Sequence, residues 1–165
     1  SAYAYRFGGL TRAYQLIGYD PGRDLSFIED NRHIRKMHPE IVANVMTHIR
    51  DLEASVRQDE QNDLLIINEE VTASLIICRC TVTDAGQSRW KLKFDTGLNP
   101  DITIAARLAA NNRDILDYFL IPALDIESPD IRLRERNHVA LEAYRFDNLD
   151  PFFLLTERAS LREVA

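Results

Sequence analysis

Three cations, Arg89, Lys91 and Lys93, occupy every second position of the run SRWKLKFD, with Trp90, Leu92 and Phe94 between them. A period of two belongs to a strand with one wet face and one buried face. A row of cations on the wet face can follow a nucleic-acid backbone by charge. Arg79, across the predicted hairpin, extends that row. The plain alternative is a solvated sheet face, and both readings stand. The amino end is the second such place. Arg6 and Arg12 stand there with Tyr3, Tyr5 and Tyr14, and no acid occurs through Tyr19. Guanidinium and phenol groups meet phosphates and sugars, and a short helix behind Gly8-Gly9 turns backbone N–H groups toward an anion. The plain alternative is that Phe7, Leu10, Tyr14 and Ile17 dock this helix on the body. The candidate DNA contacts are therefore Tyr5, Arg6, Arg12, Arg79, Arg89, Lys91 and Lys93.

Chemistry that breaks bonds finds less support. A metal-dependent nuclease of the restriction-endonuclease kind needs two carboxylates on a divalent cation and a lysine beside them. The lysines are Lys36, Lys91 and Lys93, and the residues two before them are Ile34, Arg89 and Lys91, none acidic. Asp63 fits the first acidic place, but the strand expected to carry the rest, Ser74 to Arg79, has no acid. His33, His38 and His48 do not share a helix face as metal ligands at i, i+4 would, and His138 is alone, so solvated histidines are expected. No nucleophile elbow, phosphate-binding glycine loop or dinucleotide fingerprint is present. Cys78 and Cys80 lie two apart on a predicted strand, too widely spaced for easy closure, and read as reduced core thiols. The expectation is a chain that is not an enzyme, with no catalytic residue, metal or cofactor.

The 165 residues suit one globular domain able to bury its own core. The net charge is −6 and unevenly spread: residues 1–50 sum to +2 and residues 51–165 to −8. A basic footprint over the whole chain is missing, so contact with nucleic acid has to come from local patches. No apolar run reaches the length of a membrane span and no secretory signal is visible, which points to the cytoplasm. The opening at Ser1, nearly within a motif, reads as a piece cut from something longer.

The elements that position these residues follow from periodicity. Helices are expected over residues 10–16, 24–33 and 39–54, the last opening on Pro39 and carrying Ile41, Val45, Ile49 and Leu52 at helical spacing. Strands are expected over 56–58, 64–67, 71–83, 88–95, 102–108 and 118–121, with a hairpin turn at Asp84 to Gln87. The tail holds a short charged segment at 131–136 and a helix over 138–143. A final helix over 150–163 has Asp150 as N-cap and Pro151 in its first turn. Its Phe152 to Leu155 form an apolar patch that reads as core or as a subunit contact. Helices, then a meandering sheet, then helix make an α+β fold with a central, mostly antiparallel sheet of about five strands, restriction-endonuclease-like in outline without that fold's active site.

Ser1, Tyr3, Tyr5, Arg6, Phe7, Gly8 and Gly9, followed by Ala13, Tyr14 and Gly18-Tyr19, resemble the short DNA-binding segment associated with homing endonucleases. Gly9 and Ile17 depart from its pattern. The stretch Arg6 to Leu10 with Arg12-Ala13-Tyr14 resembles the C-terminal part of bacterial site-specific recombinase-like proteins. So do Arg89-Trp90, Phe94-Asp95-Thr96-Gly97-Leu98, Pro100-Asp101-Ile102-Thr103 and Asp117-Tyr118-Phe119-Leu120. The resemblance implies a DNA-binding-like helical segment over 1–22 and an α+β domain over 23–165. Together they form a non-catalytic DNA-binding or DNA-positioning domain whose recombinase chemistry sits elsewhere in the parent protein. Its implied partners are DNA, the remaining domains of that protein and a second copy of the chain, with no membrane. The rival reading is an oligomerisation domain that never touches DNA.

Overall fold

The computed structural model describes residues 26–95 and 97–158. Its first element is one helix, α1 (Ser26–Asp51). Two helices parted before Pro39 were expected; the helix instead runs through that proline. Pro39 removes one backbone donor and disfavours its preceding turn, but it lies on the exposed side, where water can serve the freed carbonyl. The opposite side carries Val42, Val45 and Ile49, all buried. One turn earlier, the ring Nε2 of His38 lies 2.8 Å from the carbonyl oxygen of Leu75 and ties the helix to the sheet. His48 stacks on Phe153 with ring centres 3.7 Å apart. These two histidines are packing groups, not the free solvated ones expected.

Nine strands follow: β1 (Val56–Gln58), β2 (Leu65–Ile67), β3 (Val71–Cys78), β4 (Cys80–Val82), β5 (Ser88–Lys93), β6 (Ile102–Leu108), β7 (Ile115–Pro122), β8 (Asp130–Arg134) and β9 (Arg145–Phe146). A 3-10 turn (Ala123–Asp125) and two short helices, α2 (Val139–Glu142) and α3 (Asp150–Thr156), complete the elements among the described residues. The strands form a six-stranded sheet in the order β1-β2-β3-β6-β7-β9 and a three-stranded sheet in the order β4-β5-β8. All pairs are antiparallel except β3 with β6. The fold class is thus the expected α+β, mostly antiparallel, with two sheets where one of about five strands was expected.

The expected strand 71–83 is two strands because the chain changes sheet at Arg79. Cys78 ends in the large sheet and Cys80 begins in the small one, and both thiols are free and buried. The charged segment 131–136, left without an element from the sequence, supplies β8. At α3, Leu149 holds the N-cap place assigned to Asp150, and the helix ends at Thr156. The expected helix is not continued at Glu157, which is extended, or Arg158; residues 159–163 lie outside the described residues, as does the expected helix 10–16.

The layers are α1 and α3, then the large sheet, then the small sheet. Val42, Val45, Ile49 and Phe152 pack on Leu65, Ile67, Ala73, Leu75 and Ile104. The other face of the large sheet, through Ala105, Phe119 and Ile121, meets Trp90, Leu92, Phe94 and Leu133 of the small one. Burial on both faces explains why β6 is closed from Thr103 to Leu108 instead of alternating.

Candidate nucleic-acid interface

In β5 the indole of Trp90 and the side chain of Leu92 face the large sheet, both buried, while Lys91 and Lys93 are exposed and Arg89 is half-buried. The hairpin that presents this strand closes through Thr83 and Gln87, with Gly86 at φ 77°. That conformation is easily reached without a Cβ.

The partner strand changes the meaning of the stripe. Arg89 pairs with Arg134, Lys91 with Arg132 and Lys93 with Asp130. Directly opposed residues of an antiparallel pair share a face, with Cβ atoms roughly 5 Å apart. The opposed outward positions of β5 and β8 therefore carry five cations and one carboxylate, and Glu135, just past β8, accepts from the Ser88 N–H at 3.1 Å beside Arg89 and Arg134. Two of the three opposed pairs are cation against cation, an arrangement that costs stability where nothing intervenes. Asp130 reaches Lys91 diagonally at 3.5 Å, with both side chains well exposed, so this ion pair contributes little. The Arg89 guanidinium donates to the carbonyl of Ser88 and to Gln87 Oε1. Among the described residues, Arg89, Lys93, Arg132 and Arg134 have no carboxylate within ion-pair distance.

A rigid support lies beneath. Arg107 of β6 is fully buried, with its guanidinium 4.3 Å from the centre of the Trp90 ring and 4.9 Å from that of Phe119. Its Nε and one terminal nitrogen donate to the two oxygens of Asp117 at 2.7 and 2.6 Å. The other terminal nitrogen donates to the carbonyl of Arg134 at 2.8 Å. Trp90 Nε1 donates to the carbonyl of Leu108 at 2.8 Å. The inward residues thus bolt the small sheet to the large one, and β8 is held at the residue whose side chain points out. Burial pushes the nearby Cys78 thiol up to about 12, against the opposing pull of the Arg107 charge.

The structure brings Arg89, Lys91 and Lys93 together as expected and separates Arg79 from them. Arg79 sits where the chain changes sheet, its guanidinium 6.0 Å from the ring centre of Phe27 at the start of α1. It lines a groove with Asp30 and Asn112. Tyr5, Arg6 and Arg12 lie outside the described residues. Arg132 and Arg134 were missed because their segment, IRLRERN, reads as a solvated charge run. The signal that could have found them is its alternation, with Ile131 and Leu133 between the arginines. No group of three or more His, Cys, Asp or Glu side chains able to hold a metal ion occurs among the described residues. No helix among them is long and apolar enough to cross a membrane. On α3, Phe152 is buried, whereas Leu154 and Leu155 are about 70% exposed.

A scan against family models and a search of curated proteins found no match. Among solved structures, the chain is similar to a bacterial homing endonuclease, I-Ssp6803I. The TM-score is 0.41 at 12% identity, over 71% of this chain and 87% of that one. The neighbour's name falls on the endonuclease side of the resemblance drawn from the sequence, whose residues lie outside the described ones, and no match falls on the recombinase side. The neighbour is named as an enzyme, against the expectation that this chain is not one. At this distance the likeness carries no argument about this chain.

Proposed function

We propose that the chain attaches to DNA through the outer face of β5–β8, with Arg89, Lys91, Lys93, Arg132 and Arg134 meeting phosphates. The observation that carries this reading is the pair of cation-on-cation rungs, Arg89 with Arg134 and Lys91 with Arg132. A row of phosphates would turn that repulsion into attraction and release counterions on binding. In this reading residues 1–22 supply a second contact through Tyr5, Arg6 and Arg12, and the domain over 23–165 supplies the first. Arg79 is left to the groove beside α1. The net charge of −6 confines attraction to this face and disfavours approach elsewhere.

Fluorescence anisotropy with a labelled duplex across a salt series tests it. Affinity should fall steeply with salt. Arg132→Ala with Arg134→Ala should reduce the magnitude of the log–log slope by about 2, since each phosphate left without its cation removes roughly 0.9. An unchanged slope in a folded double variant would remove the face from the interface.

A further inference from the structure

Where the two sheets part, beyond the carboxyl end of β5, a cleft of about 170 Å³ opens to solvent on one side. Ser74, Thr103, Asp95 and Asn99 bring polar groups to it, and Ile76 and Phe94 are among its apolar walls. Ser74 and Thr103 are neighbours in the parallel β3–β6 register. Thr103 is only 2% exposed. Among the described residues, neither of these hydroxyls nor the Asn99 side chain has a hydrogen-bond partner. A buried hydroxyl left without a partner costs stability. Asp95 spends part of one oxygen on the backbone N–H of Gly97, at 3.0 Å. A Cβ at position 97 would stand 3.3 Å from that oxygen, so glycine leaves the carboxylate room to fold back. Asn99 holds the left-handed conformation at φ 46°, which asparagine tolerates better than most residues.

The size is informative. An apolar cavity of about 150 Å³ accepts benzene, so this cleft has room for one six-membered ring within its walls. The walls suit the faces of such a ring. The polar groups suit its edge: a carboxylate to accept from an amino group, and an amide and two hydroxyls to serve ring nitrogen and carbonyl. We propose that the cleft binds an amino-bearing six-membered ring, with cytosine as the fitting nucleobase. Asp95 accepts from the exocyclic amine, as carboxylates do from cytosine N4. Asn99, Thr103 and Ser74 serve the acceptors on the same edge. Thymine presents a carbonyl where the amine is required and so meets the carboxylate as acceptor against acceptor. Choosing a nucleobase among six-membered rings rests on the DNA reading above. The base can come as a free nucleoside or from an unpaired position in a strand, in which case it leaves the stack to enter.

The test is a heteronuclear NMR titration of the whole chain with cytidine, thymidine and ribose to about 10 mM, where a contact of millimolar strength saturates. Cytidine should produce saturable shifts at Phe94, Gly97, Asn99 and Thr103; thymidine and ribose should not. Asp95→Asn keeps an acceptor for the Gly97 N–H and should weaken cytidine about tenfold. Thr103→Val, which removes the unpaired hydroxyl and keeps the shape, should weaken it less and leave the fold intact. Absence of saturable shifts with cytidine, or equal shifts with thymidine, would overturn the proposal. An abasic phosphodiester strand and an oligo-dC strand separate the sources. Tighter binding of oligo-dC than of the abasic strand, abolished in Asp95→Asn, supports the base within a strand. Cytidine binding with neither strand bound keeps the cleft as a free-nucleoside site and removes the DNA reading. Equal binding of both strands without a cytidine response removes the cleft and keeps the cationic face.

Discussion

Arg107 and Arg134 lie on neighbouring layers and are joined by a hydrogen bond, yet their charges have opposite fates. Arg107 is stacked between two aromatic rings and gives its donors to Asp117 and to the Arg134 carbonyl. Arg134 gives its own backbone oxygen to that arrangement and faces Arg89 across the strand, with no carboxylate within ion-pair distance among the described residues. Desolvation is tolerable for the first only because its counter-charge is complete. The second stays in water, and its attraction is available to a partner from outside. Burial, not residue type, separates an arginine that holds the fold from one that can hold a ligand.

The strongest way to break this contrast is Asp117→Ala, which strands the Arg107 charge in the interior. Urea unfolding should show a loss of about 3–5 kcal/mol, whereas Arg107→Met with Asp117→Leu should recover much of it. The Cys78 thiol offers a sharper probe of the same interior. Burial raises its titration to about 12, while the unfolded thiol ionises near its usual value. Stability is therefore full below that usual value and falls as pH rises from there toward 12, by up to about 1.4 kcal/mol per pH unit. Alkaline unfolding of Cys78→Ala beside the unaltered chain isolates that slope. On the outer face the effects belong to binding. Arg132→Ala with Arg134→Ala should leave the unfolding midpoint unchanged or slightly raised, because two repelling rungs are relieved, while duplex affinity falls. Asp130→Asn is the smallest and the most diagnostic. It removes the carboxylate of the opposed positions, so it should tighten DNA binding a few-fold and shift stability by under about 1 kcal/mol. If Asp130→Asn weakens binding, phosphates do not sit on this face.

How far the sequence reached varied with how local the cause was. The period-two pattern from Ser88 to Lys93 and the hairpin closed at Gly86 are set by neighbouring residues, and both were legible. Of the expected stripe Ile41, Val45, Ile49 and Leu52, Val45 and Ile49 are buried and Ile41 and Leu52 partly so, which marked the inner side of α1. Pro39 misled because its penalty depends on which side of the helix meets water, and that is decided by the sheet below. β8 was hidden because its charges obscured two inward side chains whose partners, Trp90 and Leu92, stand some forty residues earlier. Arg107 and Asp117 gave no sign of burial, since a charged pair in the core is defined by pairing across β6 and β7 alone. The cleft at Thr103 draws on β3, β6 and the loop after β5, and no local spacing joins them.

The order of the strands along the chain has one further consequence. The parallel partners β3 and β6 enclose β4 and β5 between them in sequence, and the third strand of the small sheet arrives only after β7. The two sheets are braided in the chain although they are stacked in space. A fragment that stops before residue 130 leaves the cationic hairpin without its neighbour, and one that starts after residue 78 takes β3 from beside β6. Hydrogen exchange should accordingly find both sheets opening as one cooperative unit, so the surface offered to a ligand inherits the stability of the entire core.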